Sequence, residues 1–469
     1  MKVKNQTIPV EKNKEYIVEI LDNGFEGEGI AKIDGYTIFV NGAIKGEKCK
    51  ILIVKITTSH AYGKLLEIID RSAYRTKPDC ATYQRCGGCS LRHITYAQTL
   101  EMKSQMVQNL INKTFDSPII EVKKTIGMQN PYHYRNKAQY PFGYNKKGEK
   151  VFGIYAQRTH EIIEAEACKI QNPIAEKIAE EVLKFVKESN ISVYDETTQK
   201  GLLRHLVVKV GIKTKEVMCI LVLHEEKFPQ EKNFVNYFIQ EVNQKLEGFV
   251  IKTIVKNINS KNTNVILGDK NIVLYGDGYI YDKLGKYIFK ISPMSFYQTN
   301  TVQTEVLYQK AIQVANLKNT DIVLDLYCGI GTIGIYASSF VKQVYGIEIV
   351  KQAIQDAKEN ARMNGVENVS FTCGDVEEVL KDLVEKENIK PNVIFVDPPR
   401  RGLDQNTINN ILWLKPEKLI YISCNPATMV RDLKLLEAEY EIKEIEPVDM
   451  FPFTSHVECV AVLQLKQNR

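Results

Sequence analysis

The sequence has no long apolar run, few cysteines for its length and no excess of glycine or proline. No apolar stretch among its 469 residues approaches the roughly 18 needed to cross a bilayer, and its first residues lack the apolar core of a secretory signal. The 27 glycines and 15 prolines are too few for a disordered or collagen-like chain. We therefore expect a globular cytoplasmic protein of about three domains, with no membrane contact.

Ten cysteines are too few for a disulfide scaffold in a chain of this length. In a reducing compartment they favour a metal site or catalysis instead. Four of them are grouped as Cys80-x5-Cys86-Gly-Gly-Cys89, with Cys168 farther along the chain. Four thiolates suit both a tetrahedral zinc ion and an iron–sulfur cluster, and the residues alone slightly favour zinc.

The charge is uneven, and its excess lies in one segment. Residues 70–150 contain 14 Lys and Arg against 6 Asp and Glu, whereas the whole chain has a net charge of only +5. Within this segment Arg135 and Lys137 follow Tyr132 and Tyr134, a mixture that suits phosphate contact plus base stacking. The segment favours a nucleic-acid partner; a solvated lysine-rich face is the alternative. No obligate protein partner is evident.

Three regions are predicted from the pattern of apolar residues. Residues 1–69 have short β-runs separated by glycines, which predicts a small closed barrel of the OB-like kind, and such barrels often bind oligonucleotides. Residues 70–291 mix a cysteine-rich loop, a helix over 95–112 and further strands and helices, an α+β pattern. In residues 292–469 short strands alternate with helices, which predicts an α/β, Rossmann-like doubly wound sheet with strands at 322–326, 343–347, 369–373, 393–396 and 419–423.

A nucleotide-cofactor motif follows the first of these strands. Gly329, Gly331 and Gly334 form GxGxxG between a strand and a helix, where they permit a tight turn and close approach of the backbone to a ligand. Glu348 ends the second strand, where a carboxylate accepts hydrogen bonds from ribose hydroxyls. Asp397-Pro-Pro ends the fourth strand and favours group transfer over hydride transfer, since a rigid loop clamps cofactor and acceptor in line.

A candidate nucleophile and base lie near the end of the chain. Cys424 follows the fifth strand, with Asn425 as predicted N-cap and Pro426 as first helical residue, so the helix N-terminus should stabilise a thiolate. Glu458 begins an apolar strand, where desolvation makes a carboxylate a better base, and His456 is expected on the same strand face. The alternatives are a packing cysteine and a solvent-facing carboxylate.

Together these motifs resemble a known family. Asp397-Pro-Pro-Arg-Arg-Gly-Leu-Asp, Ser423-Cys-Asn-Pro, His456-Val-Glu and Ser292-Pro-Met-Ser-Phe-Tyr-Gln-Thr-Asn are similar to segments of the RNA uracil-5-methyltransferases. The N-terminal barrel resembles the TRAM domain of the members that act on ribosomal RNA. The resemblance implies a methyltransferase domain over 292–469, an RNA-binding TRAM barrel over 1–69 and an iron–sulfur domain over 70–291.

The resemblance also implies cofactors and residue roles. S-adenosylmethionine would contact Gln298, Tyr327, Glu348 and Asp397, together with Gly329 of the glycine motif. Cys424 matches the family's nucleophile and Glu458 its base, and the four grouped cysteines, Cys80, Cys86, Cys89 and Cys168, resemble a 4Fe-4S site.

The expected product is 5-methyluridine in 23S ribosomal RNA, formed through a covalent bond from the nucleophile to C6 of the base. The barrel and the cysteines favour ribosomal RNA over the alternative substrate, the T-loop of tRNA. A different class of function is a non-catalytic RNA-binding factor in ribosome assembly, in which the methyltransferase fold holds RNA without chemistry.

Overall fold

The structure, a computed structural model, describes residues 8–116, 120–157, 159–164 and 167–467. Its N-terminal part is a six-stranded sheet in the order β1-β5-β6-β4-β3-β2. Glycines at close approaches allow tight packing, since a Cβ on Gly63 would stand 2.9 Å from Ile51 in the core. The strands β1 to β6 are Glu15–Glu19, Asp22–Asn23, Gly29–Ile33, Tyr36–Asn41, Lys48–Ile56 and His60–Asp70.

The central part of the chain contains a second six-stranded sheet, in the order β14-β13-β12-β11-β7-β8, and helices that pack against it. Helix α2 (Pro173–Glu188) begins where Asn172 accepts a hydrogen bond from the Ile174 N–H, and it buries an apolar face against the sheet. Helix α3 (Glu231–Tyr237) is followed by the π-helix Phe238–Val242 and the 3-10 turn Asn243–Lys245. Helix α1 (Tyr96–Thr114) instead packs in a core of the C-terminal part through Val107 and Ile111. Strands β7 to β14 are Lys137–Tyr144, Lys150–Phe152, Ile154–Tyr155, Ile162–Ile163, Leu203–Val210, Glu216–Leu223, Val250–Ile258 and Lys270–Tyr275.

The C-terminal part begins with a hairpin, β15 (Ile280–Leu284) and β16 (Tyr287–Ile291), and contains a seven-stranded sheet in the order β19-β18-β17-β20-β21-β23-β22. Strands β17 to β21 are parallel, and β23 returns antiparallel to β21, so the predicted doubly wound sheet is confirmed. Strands β17 to β23 are Ile322–Leu326, Gln343–Glu348, Val369–Cys373, Val393–Val396, Lys418–Ser423, Tyr440–Val448 and Glu458–Leu465. Helices α4 to α9 are Thr301–Ala315, Thr332–Ala337, Lys351–Met363, Val376–Lys386, Gln405–Leu414 and Pro426–Leu436, with a 3-10 turn at Ser338–Phe340.

The cores show how these parts are joined. The barrel has a core of its own. In contrast, Met218 and Ile220 of the central sheet are buried in one core with Leu307 and Phe395 of the C-terminal part. The domain boundaries predicted at 69/70 and 291/292 stay predictions. Buried side chains that precede and follow the boundary at 291/292 pack in the same core. Among the described residues no helix is long and apolar enough to span a membrane.

Candidate active site

A cavity of about 1000 Å³ opens beyond the carboxyl ends of the parallel strands. Its size is at the upper end of the range for small-molecule sites, which leaves room for a nucleoside cofactor together with a base. The cavity is where ligands bind in a doubly wound sheet. It brings together all seven predicted cofactor and catalytic residues, namely Gln298, Tyr327, Gly329, Glu348, Asp397, Cys424 and Glu458.

Backbone amides fix the Glu348 carboxylate at the end of β18. The Gly329 N–H donates to one of its oxygens at 3.2 Å and the Val350 N–H to the other at 2.9 Å. Gly329 has a φ of +54°, and nothing lies within 4 Å of where its Cβ would be. A ligand can therefore approach this turn closely, with an oriented carboxylate beside it.

The other predicted cofactor residues lie at loop positions around this turn. Tyr327, with a φ of +66°, donates its hydroxyl to Asp404 at 3.3 Å, and burial raises its pKa to about 12. Gln298 is buried, and its main-chain oxygen accepts from the Asn136 side chain at 2.8 Å. Asp397 lines the cavity at the end of β20, and burial raises the pKa of its carboxyl.

Cys424 lies in the turn between β21 and α9. The predicted cap is confirmed, because the Asn425 side chain accepts from the Ala427 N–H at 3.2 Å and Pro426 begins the helix. The Asn425 amide also donates to the Arg400 carbonyl at 3.0 Å. The turn that carries the thiol is thus attached to the loop that follows Asp397.

The backbone of the helix N-terminus lowers the pKa of Cys424, as expected, but other groups outweigh it and the net shift is upward. Burial raises the pKa of the Cys424 thiol to about 11, and the nearby Glu458 and Asp397 carboxyls raise it further. Arg400 acts in the opposite direction but does not compensate. The sequence pattern showed the helix but not the two carboxyls, which come from other strands.

Glu458 lies next to Cys424 across the sheet. Ser423 of β21 pairs with Cys459 of β23. Because these strands are antiparallel, Cys424, which follows Ser423, lies next to Glu458, which precedes Cys459. The Glu458 side chain is only 3% exposed, and its Oε2 has no hydrogen-bond partner in the described part of the chain. Burial, and secondarily Asp397, raises the pKa of this carboxyl, as expected from its apolar strand.

His456 is not on the strand face predicted for it. Strand β23 begins at Glu458, and His456 is an exposed residue of the preceding loop that lines the cavity. A local pattern of alternating residues cannot show where a strand begins. The prediction used the two-residue spacing of His456 and Glu458 and therefore started the strand too early.

The cavity also contains residues that the sequence reasoning missed. Asp375 caps α7 just beyond β19, a strand-end position like those of Glu348 and Asp397, so the strand pattern could have indicated it. Phe296, which is 68% exposed, and Glu26 from the barrel also line the cavity. Phe296 belongs to the segment 292–300 already quoted for the family resemblance, whereas Glu26 had no local signal, because only the tertiary fold brings it there.

The four grouped cysteines lie close enough together for their charges to interact. Burial, and to a smaller extent Cys168 and Cys80, raises the pKa of Cys86, and burial raises that of Cys89 to about 11. The Gly88 N–H points to the Cys86 sulfur at 3.4 Å. Among the described residues no three His, Cys, Asp or Glu side chains are arranged to hold a metal ion. Neither a zinc site nor an iron–sulfur domain is therefore shown.

Comparison with known proteins shows the family of the chain. The model of a family described as tRNA (uracil-5-)-methyltransferase matches residues 95–466, and that of the TRAM domain matches residues 9–66. The chain belongs to this uracil-5-methyltransferase family. The resemblance stated from the motifs is thereby confirmed, as is the class of enzyme, an RNA (uracil-5-)-methyltransferase dependent on S-adenosylmethionine.

Relatives match this uracil-5-methyltransferase along almost its whole length. An uncharacterised RNA methyltransferase of Clostridium acetobutylicum is 44% identical over 98% of this chain and 99% of its own, and one of Staphylococcus aureus is 45% identical over 95% and 97%. The crystal structure of a Pyrococcus abyssi tRNA (uracil-54, C5)-methyltransferase, in complex with S-adenosyl-L-homocysteine, is 27% identical. The match covers 95% of this chain and 99% of the archaeal chain, with a TM-score of 0.74.

Proposed function

We propose that this enzyme methylates C5 of a specific uridine in 23S ribosomal RNA through a transient bond between Cys424 Sγ and C6 of the base. The observation that carries the proposal is the position of Cys424 beside Glu458 on one wall of the cavity, with the glycine turn and Glu348 on another. A nucleophile and a base on one side of a cofactor turn suit chemistry in which both act on the same ring.

The residues around the glycine turn fit S-adenosylmethionine. Glu348 would accept hydrogen bonds from ribose hydroxyls, and the open space over Gly329 admits the rest of the cofactor. Tyr327, Gln298 and Asp397 complete this part of the cavity. When bound, S-adenosylmethionine supplies a methyl group that a carbon nucleophile can accept.

The chain's own residues then perform the remaining steps. The Cys424 thiol releases its proton to solvent and its sulfur bonds to C6, which moves ring electrons to C5 and the adjacent carbonyl, so that C5 becomes nucleophilic. After C5 is methylated, the Glu458 carboxylate removes the C5 proton. The electrons of that C–H bond re-form the C5–C6 double bond while the sulfur–carbon bond breaks, and the thiolate is regenerated. The target nucleotide must be turned out of its stack to enter the cavity.

The choice of 23S ribosomal RNA rests on the resemblance to ribosomal-RNA members. The four grouped cysteines support it more than the barrel does. The archaeal tRNA enzyme matches 95% of this chain, so its match extends into the barrel, and a barrel is therefore compatible with a tRNA substrate. This likeness makes the T-loop uridine of tRNA the second candidate.

Parallel methylation assays distinguish the two substrates. Unmodified 23S rRNA and tRNA transcripts are incubated separately with the enzyme and labelled S-adenosylmethionine, and 5-methyluridine is quantified after nuclease digestion. We expect label in 23S rRNA at a single mapped position or a few. Label confined to tRNA would reverse the assignment, and label in neither would overturn the proposed activity.

We predict that Glu458→Gln lowers kcat by roughly 10²- to 10⁴-fold, the typical effect of losing a general base. Glutamine fits the space but cannot take the C5 proton, so methylated RNA should remain bonded to Cys424. The adduct is measured as a slowly migrating band on a denaturing gel. Glu441→Gln, at an exposed strand position paired with Lys443, is the control. Normal turnover by Glu458→Gln would contradict the assignment.

The value of kcat/KM for methyl transfer should rise with pH through the neutral range. Cys424 and Glu458 both act in their deprotonated forms, and burial raises the pKa of each, so more enzyme becomes active as protons leave. Arg400 lowers both pKa values. We expect Arg400→Gln to move the midpoint of the pH profile of kcat/KM to higher pH by on the order of 0.5 unit, and Arg400→Lys to restore the wild-type midpoint. A midpoint at lower pH in Arg400→Gln would contradict this electrostatic role.

We also propose that Cys80, Cys86, Cys89 and Cys168 hold a 4Fe-4S cluster. The type and number of the donors fit, although their side chains would have to turn toward one another to form the site. The four thiols interact electrostatically, and the buried Arg92 guanidinium lies beside the Cys89 sulfur, where it would balance anionic thiolates. Such a cluster would attach the basic loop to the central part of the chain.

Anaerobically purified enzyme should contain about four irons and four sulfides per chain. Cys86→Ser and Cys168→Ser should lose most of this iron, whereas Cys373→Ser, at an exposed cysteine outside the group, should keep it. Iron and sulfide analysis is the measurement. Stoichiometric zinc in place of iron would refute the cluster.

A further inference from the structure

The outer surface of the barrel carries a cluster of aromatic rings. The Phe39 ring centroid lies 5.4 Å from that of His60 and 5.9 Å from that of Tyr62, and the last two are 5.2 Å apart. The Lys55 ammonium is 5.8 Å from the Tyr62 centroid. We call these three rings, with the exposed lysines Lys32, Lys55 and Lys64, the barrel platform.

Strand pairing explains why the rings face outward. Phe39 on β4 pairs with Tyr62 on parallel β6, and side chains alternate along each strand. The intervening residues Ile38, Val40 and Ala61 are completely buried in the barrel core, so the rings lie on the opposite face. The packing of the barrel therefore does not require aromatic residues at these three positions.

The platform carries positive charge that the barrel leaves unbalanced. The outward positions of residues 29–33, 36–41 and 60–64 include no carboxylate. Across the part of the chain that the structure describes, none of the platform lysines forms an ion pair, whereas Lys45 and Lys50 elsewhere on the barrel are paired with Asp22 and Glu15. Lysines without carboxylate partners remain available for phosphates.

The platform is also near the cavity. Glu26, in the loop before β3, lines the cavity, and Ile30 of β3 pairs with Phe39. The path from Glu26 runs four residues along the chain to Ile30 and then across one strand to Phe39. At about 3.4 Å per residue and 4.8 Å between strands, the first ring lies within about 25 Å of the cavity wall. An RNA strand that enters the cavity can therefore reach the platform within a few nucleotides.

We infer that the barrel platform binds an unpaired stretch of the substrate RNA outside the target uridine. Bases stack on Phe39, His60 and Tyr62, and the lysines contact the phosphates, the combination by which proteins bind single strands without reading their sequence. A duplex could contact only the lysines, because its bases are already stacked on one another and cannot also stack on the rings. The inference rests on the proposed function in that the substrate is RNA, and it adds where and in what form the flanking strand is held.

Fluorescence anisotropy with labelled oligocytidylate tests the platform separately from catalysis, since this probe has no uridine to occupy the cavity. Full-length Phe39→Ala/Tyr62→Ala enzyme should bind it about 10- to 100-fold more weakly. Lys32→Gln/Lys55→Gln/Lys64→Gln should reduce the slope of log affinity against log salt by about 2. Ile17→Ala/Lys48→Gln, exposed elsewhere on the barrel, should behave as wild type. Unchanged affinity in the double aromatic variant, or equal binding of a duplex, would overturn the inference.

Methyl transfer provides the second measurement. A short hairpin with the target uridine is compared with the same hairpin carrying an unpaired extension. We expect the extension to lower KM at least about tenfold for wild type and to have no effect for Phe39→Ala/Tyr62→Ala, with kcat unchanged. An equal benefit in both proteins would refute the platform. If no RNA is methylated, the proposed function fails, and the oligocytidylate titration still decides about the platform.

Discussion

Replacing Cys424 by alanine should reduce 5-methyluridine formation by on the order of 10⁴-fold or more, because the variant lacks the atom that makes C5 nucleophilic. RNA containing 5-fluorouridine at the target should become permanently bonded to the wild-type enzyme, since fluorine at C5 cannot leave as a proton does. The same RNA should form no adduct with Cys424→Ala. Mass spectrometry of the digested complex locates the bond.

Two further variants make this prediction specific. Cys424→Ser keeps a hydroxyl in the turn and should be as inactive as alanine, because a serine hydroxyl at neutral pH is a far weaker nucleophile. Cys373→Ala removes an exposed thiol of the same domain and should retain full activity. Residual methylation by Cys424→Ala near the wild-type rate, or an adduct at another cysteine, would disprove the covalent role of Cys424.

Replacing Lys103 by methionine should lower the free energy of unfolding by about 3–5 kcal/mol, the usual cost of leaving a buried charge without its partner. Lys103 Nζ lies 2.5 Å from Asp449 Oδ1, and the two side chains are 2% and 0% exposed. The ammonium also donates to the Phe451 carbonyl at 3.2 Å. Burial lowers the pKa of Lys103, which shows that desolvation opposes the pair. Urea denaturation of the holoenzyme is the measurement.

A matched surface pair provides the control. Lys386 and Asp382 are 3.4 Å apart but 75% and 67% exposed, so Lys386→Ala should change stability by less than about 1 kcal/mol. The double variant Lys103→Met/Asp449→Asn should be more stable than Lys103→Met alone, because asparagine carries no charge and can still accept from the Tyr96 hydroxyl. Wild-type stability in Lys103→Met would show that the pair contributes nothing.

The sequence predicted the C-terminal sheet well because its signals are local. The strands at 322–326, 369–373 and 393–396 have the predicted bounds, since each is a short apolar run between turn residues. The strand-end residues Glu348, Asp397 and Cys424 could also be placed, because parallel strands present their carboxyl ends at one edge. Periodicity and topology were sufficient for this half of the site.

What depended on contacts between distant segments could not be predicted. The raised pKa of Cys424 comes from burial and from carboxyls on two other strands, whereas the sequence around it shows only a helix N-terminus. Glu26 of the barrel lines the cavity although no motif includes it. The buried pair of Lys103 and Asp449 joins residues 346 positions apart, and a lysine within an amphipathic helix ordinarily indicates a solvent-facing position.

The core shared between the central sheet and the C-terminal part limits how this protein can be recombined. A chimera that takes residues 292–469 from another enzyme would put foreign side chains against Met218 and Ile220, which are fully buried beside Leu307 and Phe395. Such exchanges would succeed only if the two parts were transferred together. The barrel has a core of its own, but an exchange of the barrel would also have to preserve the packing of Ile44 against Leu91 and Ile94 and the ion pair of Glu47 with Arg75.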